Sequence, residues 1–568
     1  MDNQKLANLL FPDAKDVSYW ENKFPRRNLD KTQEVTRYAP SPTGFMHLGN
    51  FFQMFISYNL AKNSNGIFIK RLEDTDAKRE KENAFEVIKQ VMDKFGIFPD
   101  EYQEKGQEPV GNYGPYIQTL RKDIYVSYAK DLVKKGKAFP CFCRAKDGKE
   151  EIFKEREEKF AVNDEFEYDP CRSLTLQEIE DKIKNGEKFA IRFKTSGTGK
   201  ERIKFLDLIK GEIEAAANAK DVILIKQDGI PPYLFAHIID DHLMGITTIV
   251  RGEEYISSTP VHLEVIDALG FDRFKYCHNP LICKIPENGN KRKISKRYDP
   301  EADMRFYFEK GYPIQAVFEY LLNLISSSFE PWRAKNPDLP WTDFKFGIND
   351  ITAVSPVLDM AKFNDISKNI IAKMTAEEVF EKAVEWAKDY DEEFAKYLET
   401  NKDYVIKVLG IDRYTPKPRK DIAAFGEIKQ VFSYMFDPYF KHSNIADFEI
   451  DPQNFKKAKE VVSAYAKIVS AKDEKDVWFA KIKELASSLG YATDNKAYKA
   501  NPENFKGNVA QVCEFIRVAL TGRKNSPDLF EIISILGQDK TEVRLQEFAK
   551  KLWKKLKISI FIRKTQLF

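Results

Sequence analysis

The apolar residues of this chain change their spacing along its length. Near the N-terminus they come in short blocks. EVTRYA (34–39) reads as a short strand, NFFQMFISYNLAKN (50–63) as a buried helix, and GIFIKRLE (66–73) as a second strand. Strand, crossover helix and strand are the start of a parallel α/β sheet. From about 141 to 215 the pattern turns charged and Gly/Thr-rich, which reads as an insertion. VILIKQDG (222–229) and YLFAHIIDDHLMGITTIVRGEE (233–254) return to apolar, strand-like runs, so the sheet is expected to resume there. After about 370 the period becomes helical. In TAEEVFEKAVEWA (375–387), Thr375 and Glu378 are spaced as a capping box, and Val379, Phe380, Ala383, Val384 and Ala387 share one face. Ser526 and Pro527 are expected to start a helix that Gly537 stops. The basic and apolar tail from Lys550 reads as a packed last helix with a frayed end, because charge runs are usually solvated faces.

Composition narrows the class. The chain has 568 residues, 43% hydrophobic and 32% charged, with a net charge of +3. That fits a soluble multidomain protein. Binding to a nucleic acid would need a local basic face, not a global excess. The N-terminus carries acid early and has no apolar core, so it is not read as a signal peptide. QAVFEYLLNLISSSF comes nearest to a membrane span, but Glu319 and Asn323 interrupt it. Six cysteines are too few for a disulfide scaffold and place the chain in a reducing cytoplasm.

Two segments carry candidate chemistry. RYAPSPTGFMHLGN (37–50) breaks the chain with prolines and glycines, then sets His47 where a helix begins. In an open α/β sheet, ligands sit at the carboxyl ends of strands. A helix starting there offers unpaired N–H groups and a positive dipole end. Gly44 and Gly49 would let backbone approach a phosphate, and His47 could donate to one as charge builds. Far downstream, NKRKISKRYD (290–299) places Lys293 and Lys296 around Ser295, a loop suited to neutralising a leaving pyrophosphate. Alone, each segment has an ordinary structural reading. As an ordered pair they are much more specific. KTSGTGKER (194–202) hints at a phosphate-binding loop but lacks its spacing and its Ser or Thr.

HLGN (47–50) and KISKR (293–297) resemble the HIGH and KMSKS signatures of class I aminoacyl-tRNA synthetases, in the form seen in the bacterial glutamyl branch. RLEDTD (71–76), GPYIQTLRKDIY (114–125), the stretch 228–260, SPVLDMAKF (355–363) and the stretch 517–537 resemble further parts of it, so the likeness covers about 34 to 545. The resemblance implies an α/β fold with a Rossmann-like parallel-sheet catalytic domain. It also implies a reaction: ATP with Mg²⁺ and glutamate form glutamyl-adenylate, and the 3′-terminal adenosine of tRNA-Glu then takes the glutamyl group. In this branch the first step needs bound tRNA. Carried over by position, Arg37, Ser41, Glu73, Tyr233 and Arg251 are expected at glutamate. His47, Gly49, Asn50, Glu254, Lys293 and Lys296 are expected at ATP, with His47, Lys293, Ser295 and Lys296 catalytic. Asn50 replaces the second HIGH histidine, and His237 falls at a variable position, where a satisfied structural histidine is the plainer reading.

The resemblance also implies a domain order. An extension (1–33) precedes the first catalytic half (34–140), a connective insertion on the acceptor stem (141–215) and the second half (216–290). The KMSKS loop with a stem-contact domain (291–372) and an all-α anticodon-binding domain (373–568) follow. Some relatives hold structural zinc in the insertion, and others hold none. The matching set here is Cys141, Cys143, Tyr168 and Cys171, with Tyr-x-x-Cys where the usual spacing is one residue longer. Cys277, Cys283 and Cys513 read as core residues. A glutaminyl enzyme is disfavoured because residues 373–568 read as helices and not as β-barrels. A short paralogue without an anticodon domain is disfavoured by length, and a catalytically dead paralogue by the intact His47, Lys293 and Lys296. Whether tRNA-Gln is charged as well stays open, and a monomer is expected.

Overall fold

The computed structural model describes residues 2–41, 45–75, 84–143, 170–287, 289–440, 442 and 444–565, with side chains as far as 556. Two compact units emerge, Met1–Phe306 with Phe318–Asp359, and Tyr307–Val317 with Met360–Phe568.

The first unit opens with two short helices, α1 (Asn3–Leu10) and α2 (Val17–Lys23). Then come β1 (Val35–Tyr38), α3 (Leu48–Asn63), β2 (Ile67–Lys70), α4 (Ala84–Lys94) and α5 (Lys122–Lys134). The next segments are β3 (Ala138–Cys141), α6 (Leu176–Lys184), β4 (Ala190–Phe193), β5 (Arg202–Asp207), β6 (Gly211–Ala216) and β7 (Ile223–Ile225). Then follow α7 (Tyr233–Leu243), β8 (Thr248–Gly252), α8 (Thr259–Leu269), β9 (Lys275–Asn279), β10 (Cys283–Lys284) and β11 (Arg292–Lys293), and further helices complete the unit.

β1 and β2 pair in parallel, as do β8 and β9, and β5 runs parallel to β9 with β6 as an antiparallel edge. Thr247 N donates to Val35 O (3.0 Å), which sets β1 beside β8. Every residue of β1 and β8 is buried, as strands covered on both faces must be. A Cβ at Gly66 would lie 1.9 Å from the Glu34 carbonyl oxygen, so glycine is required where α3 turns into β2. The N-terminal extension packs on α5. Trp20 Nε1 donates to Ser127 Oγ (2.9 Å) and Lys130 Nζ to Phe11 O (2.8 Å).

Three readings of the sequence change. YLFAHIIDDHL is the helix α7, not a strand: an apolar run buried on all sides has no period to separate the two. Ile223–Ile225 forms β7, which closes a three-stranded antiparallel sheet β3–β4–β7 and takes no part in the parallel sheet. The hairpin β5–β6, placed in the insertion from its charge, joins the parallel sheet through Asp207 and Tyr276. It is an edge, and its outer face is solvated.

The second unit is helical and has two cores. One gathers Val379, Phe380, Ala383 and Ala387 with Phe394, Val405 and Phe436, and the other gathers Val461, Val462, Ile482, Phe515 and Leu552. The Thr375–Glu378 capping box forms as expected. The helix expected from Ser526 instead runs Leu529–Leu536 with Asp528 as its cap, because Ser526 Oγ is taken by Arg517 Nε (3.0 Å). Gly537 ends it at φ 79°. The last helix runs Gln538–Thr565. Cys277 is buried, while Cys283 and Cys513 are only partly so.

Candidate active site

The parallel strands end along one edge, and the expected site residues collect there. His47 caps α3: its Nδ1 accepts from Gly49 N at 3.0 Å. That bond fixes the tautomer, with the proton of the neutral ring on Nε2. Burial and the nearby Lys293 hold its pKa below the usual value, so the ring is neutral at physiological pH. Gly49 is tight against it, since a Cβ there would sit 3.2 Å from Nδ1. Asn50 is exposed on the first turn of α3.

The loop 290–299 lies against this turn. Met304 N donates to Met46 O (3.0 Å), and Lys296 Nζ stands 3.2 Å from the centroid of the Phe45 ring. The loop is tied at its base. Arg292 pairs with Asp299 (2.6 and 2.9 Å), Ser295 N donates to Asp299 Oδ2 (2.8 Å), and Ile294 is buried. Lys293, Lys296 and Arg297 remain exposed. Lys293 pairs with Glu254 at 3.6 Å. Ser295 therefore organises the turn, and the lysines project from it.

Below lies a buried charged floor. Arg37 Nε meets both Asp241 oxygens (3.2 and 3.3 Å), and its Nη1 donates to Val250 O (3.1 Å). Arg71 donates to Asp241 (2.7 Å) and Glu73 (3.0 Å). Asp240 takes Arg121 (2.6 Å), Tyr125 and Gln118. Arg37, Arg71 and Arg121 thus balance Asp240, Asp241 and Glu73. Unpaired charges are too costly at such depth. The arginines hold the Asp241 carboxyl far below its usual range against the effect of burial, whereas burial pushes Glu73 up to about 7.

Arg251 differs. Its partners are His278 Nε2 (2.9 Å), His262 Nδ1 (3.0 Å) and Thr259 Oγ1 (2.9 Å), all neutral acceptors. His278 leans on Asp207 (2.7 Å). Arg251 is 3% exposed and has no carboxylate in contact among the described residues. It has more N–H donors than these partners use. An uncompensated buried guanidinium is a place for an anion. Arg251 and Glu254 do not pair with each other, and Glu254 pairs instead with Lys293 (3.6 Å). Tyr233 stacks on His237 (4.6 Å, 19°) and borders the same space with Tyr255. Ser41 is exposed at the edge of the undescribed 42–44. Asp241, Arg71, His262, His278 and Thr259 were not anticipated. The only signal was a pair of aspartates in an apolar run.

Apart from this edge, Cys141, Cys143 and Cys171 bring their sulfurs within 4.8 Å of one another. Cys143 and Cys171 are 3.6 Å apart. Two thiolates on a tetrahedral zinc stand about 3.8 Å apart, so the set fits three corners of such a site. Tyr168 lies outside the described residues.

Residues 33–330 match the model of the class I tRNA synthetase (E and Q) catalytic domain, and residues 378–549 match an anticodon binding domain. The chain is 44% identical to a glutamate–tRNA ligase of Acetivibrio thermocellus, over 96% of this chain and 100% of the relative. It is 42% identical to one of Clostridium perfringens (strain SM101), with the same coverage. A solved glutamate-tRNA synthetase from Elizabethkingia anophelis superposes with a TM-score of 0.71 at 25% identity, over 91% of this chain and 100% of that one.

Proposed function

The chain belongs to the class I tRNA synthetases of the glutamate and glutamine group, and from that premise we propose that it works as a glutamate–tRNA ligase. A glutamate carboxylate oxygen attacks the α-phosphorus of ATP, pyrophosphate leaves, and the adenylate passes its glutamyl group to the 3′-terminal adenosine of tRNA-Glu as AMP departs. The observation that carries this reading is Arg251, a buried guanidinium with spare donors and no carboxylate contact among the described residues. Arg251 and Arg37 would take the carboxylates of glutamate, and Glu73 its ammonium. Tyr233 and Ser41 would close the pocket.

At the nucleotide end, His47 would donate from Nε2 to a phosphate oxygen, as its fixed tautomer supports. Gly49 and Asn50 would present the helix N-terminus, and Glu254 would border the nucleotide. Lys293 and Lys296, carried by the turn that Ser295 organises, would neutralise charge on the leaving pyrophosphate. Mg²⁺ would arrive with ATP, held chiefly by phosphates and water.

The insertion would meet the acceptor stem, and the helical unit would meet the anticodon, by salt-sensitive phosphate contacts and stacking on splayed bases. Cys141, Cys143 and Cys171 would hold a structural zinc, with Tyr168 as the candidate fourth ligand. Metal analysis giving one zinc per chain, lost in Cys143→Ser, tests this. No helix among the described residues is long and apolar enough to cross a membrane. As a ligase of translation the chain would work in the cytoplasm, as a monomer.

Aminoacylation with labelled glutamate, offering tRNA-Glu and tRNA-Gln transcripts separately, is the test. Charging of tRNA-Glu supports the reading, and charging of both marks a non-discriminating enzyme. Charging of neither by folded protein overturns it.

A further inference from the structure

The two arginines expected at the substrate do not stand independently. Asp241 holds Arg37 on one side and His237 on the other (Nδ1 to Oδ2, 3.3 Å). His237 Nε2 lies 3.2 Å from His262 Nδ1, and that same nitrogen lies 3.0 Å from Arg251 Nη1. Every side chain in the series is at least nine-tenths buried. We propose that His262 and His237 are positioning residues that set Arg251 relative to Arg37, through the contact chain Arg37–Asp241–His237–His262–Arg251. This rests on the reading that both arginines bind glutamate.

Proton counting orients both rings. A guanidinium only donates, so His262 Nδ1 must be bare and accept from Arg251. His262 is therefore neutral, with its proton on Nε2, and burial lowers its pKa in agreement. Burial lowers the His237 pKa to about 4, so its ring is neutral and has one proton, which goes from Nδ1 to the Asp241 carboxylate; His237 therefore meets His262 by ring contact (centroids 4.7 Å) and not by a hydrogen bond. Its ring is fixed from the side by the stack on Tyr233, itself an expected pocket residue. The chain thus ties together two arginines, a carboxylate and the pocket tyrosine. A side chain that only filled space would need neither nitrogen of His262 or His237.

The test is steady-state aminoacylation of tRNA-Glu by the full chain, with KM for glutamate and for ATP measured separately and folding followed by thermal unfolding. In His262→Leu, KM for glutamate is expected to rise about tenfold, the equivalent of one lost hydrogen bond to a charged group. KM for ATP should stay within about twofold of wild type. His262→Gln keeps an acceptor and should restore most of the loss. His237→Phe keeps the stack on Tyr233 without nitrogens and carries the same expectation as His262→Leu if that variant does not fold. Arg251→Lys is the control. If it leaves KM for glutamate unchanged, the binding reading itself falls. If it raises KM while folded His262→Leu and His237→Phe keep wild-type KM, the positioning role alone is overturned. Equal rises in both KM values, or no rescue by Gln, likewise overturn it.

Discussion

The two ends of the site are built on opposite principles. At the end proposed for the nucleotide the cations sit on a surface loop. Lys293 and Lys296 are exposed, while the backbone beneath them is pinned by Arg292, Asp299 and Ile294. At the end proposed for glutamate the cations are buried. Arg37, Arg71 and Arg251 are each held by several fixed partners. The difference suits the roles proposed for the two ends. Charge that develops on a leaving group is met by groups that can move to it. A small substrate with fixed charges is told from its neighbours by donors that cannot move.

Lys296→Ala should separate the ends most sharply. We expect turnover to fall by about 10²–10³, with KM for glutamate and the unfolding temperature nearly unchanged, as suits an exposed side chain serving the transition state. Stopped-flow or steady-state rates beside a melting curve check this, and near-wild-type turnover would remove the loop from the chemistry.

A smaller effect should appear in the pH profile of the glutamate end. Glu73, pushed up to about 7 by burial, is protonated below that pH and ionised above it. If it binds the substrate ammonium as a carboxylate, kcat/KM for glutamate rises through about pH 7 and falls about tenfold per unit below it. KM for ATP should not follow. Glu73→Gln should abolish that limb, and a limb that persists would belong to another group.

The smallest effect is expected from Gly49→Ala. Its Cβ would press on His47 Nδ1 from 3.2 Å and tilt the ring. A fall of about threefold to tenfold in turnover, with KM for glutamate untouched, would sharpen the division between the ends. An equal loss at both ends would blur it.

This division also explains what could be read in the chain. The nucleotide end is local: a turn, a cap and a loop, each within about a dozen residues, so HLGN and KISKR were visible as words. The glutamate end is not local. Asp241 meets Arg71 170 positions away and Arg37 204 positions away. Arg37, Glu73 and Arg251 were reached through resemblance. Asp241, His262 and His278 left no trace except that polar residues stood in apolar runs. The helix α7 was mistaken for a strand for the same reason: complete burial erases periodicity.

The sequence by itself determined the class of fold, the helical character of the C-terminal unit and the HLGN and KISKR motifs, because these depend on spacing and on backbone chemistry. Tertiary structure alone decided which strands share a sheet, so that β5 joined the parallel sheet and β7 did not. It alone decided that three cysteines meet, and which acids answer Arg37, Arg71 and Arg121 while none answers Arg251 among the described residues. Those outcomes are set by the energy of burying charge in company, and the company is chosen by the fold, not by neighbours in the chain.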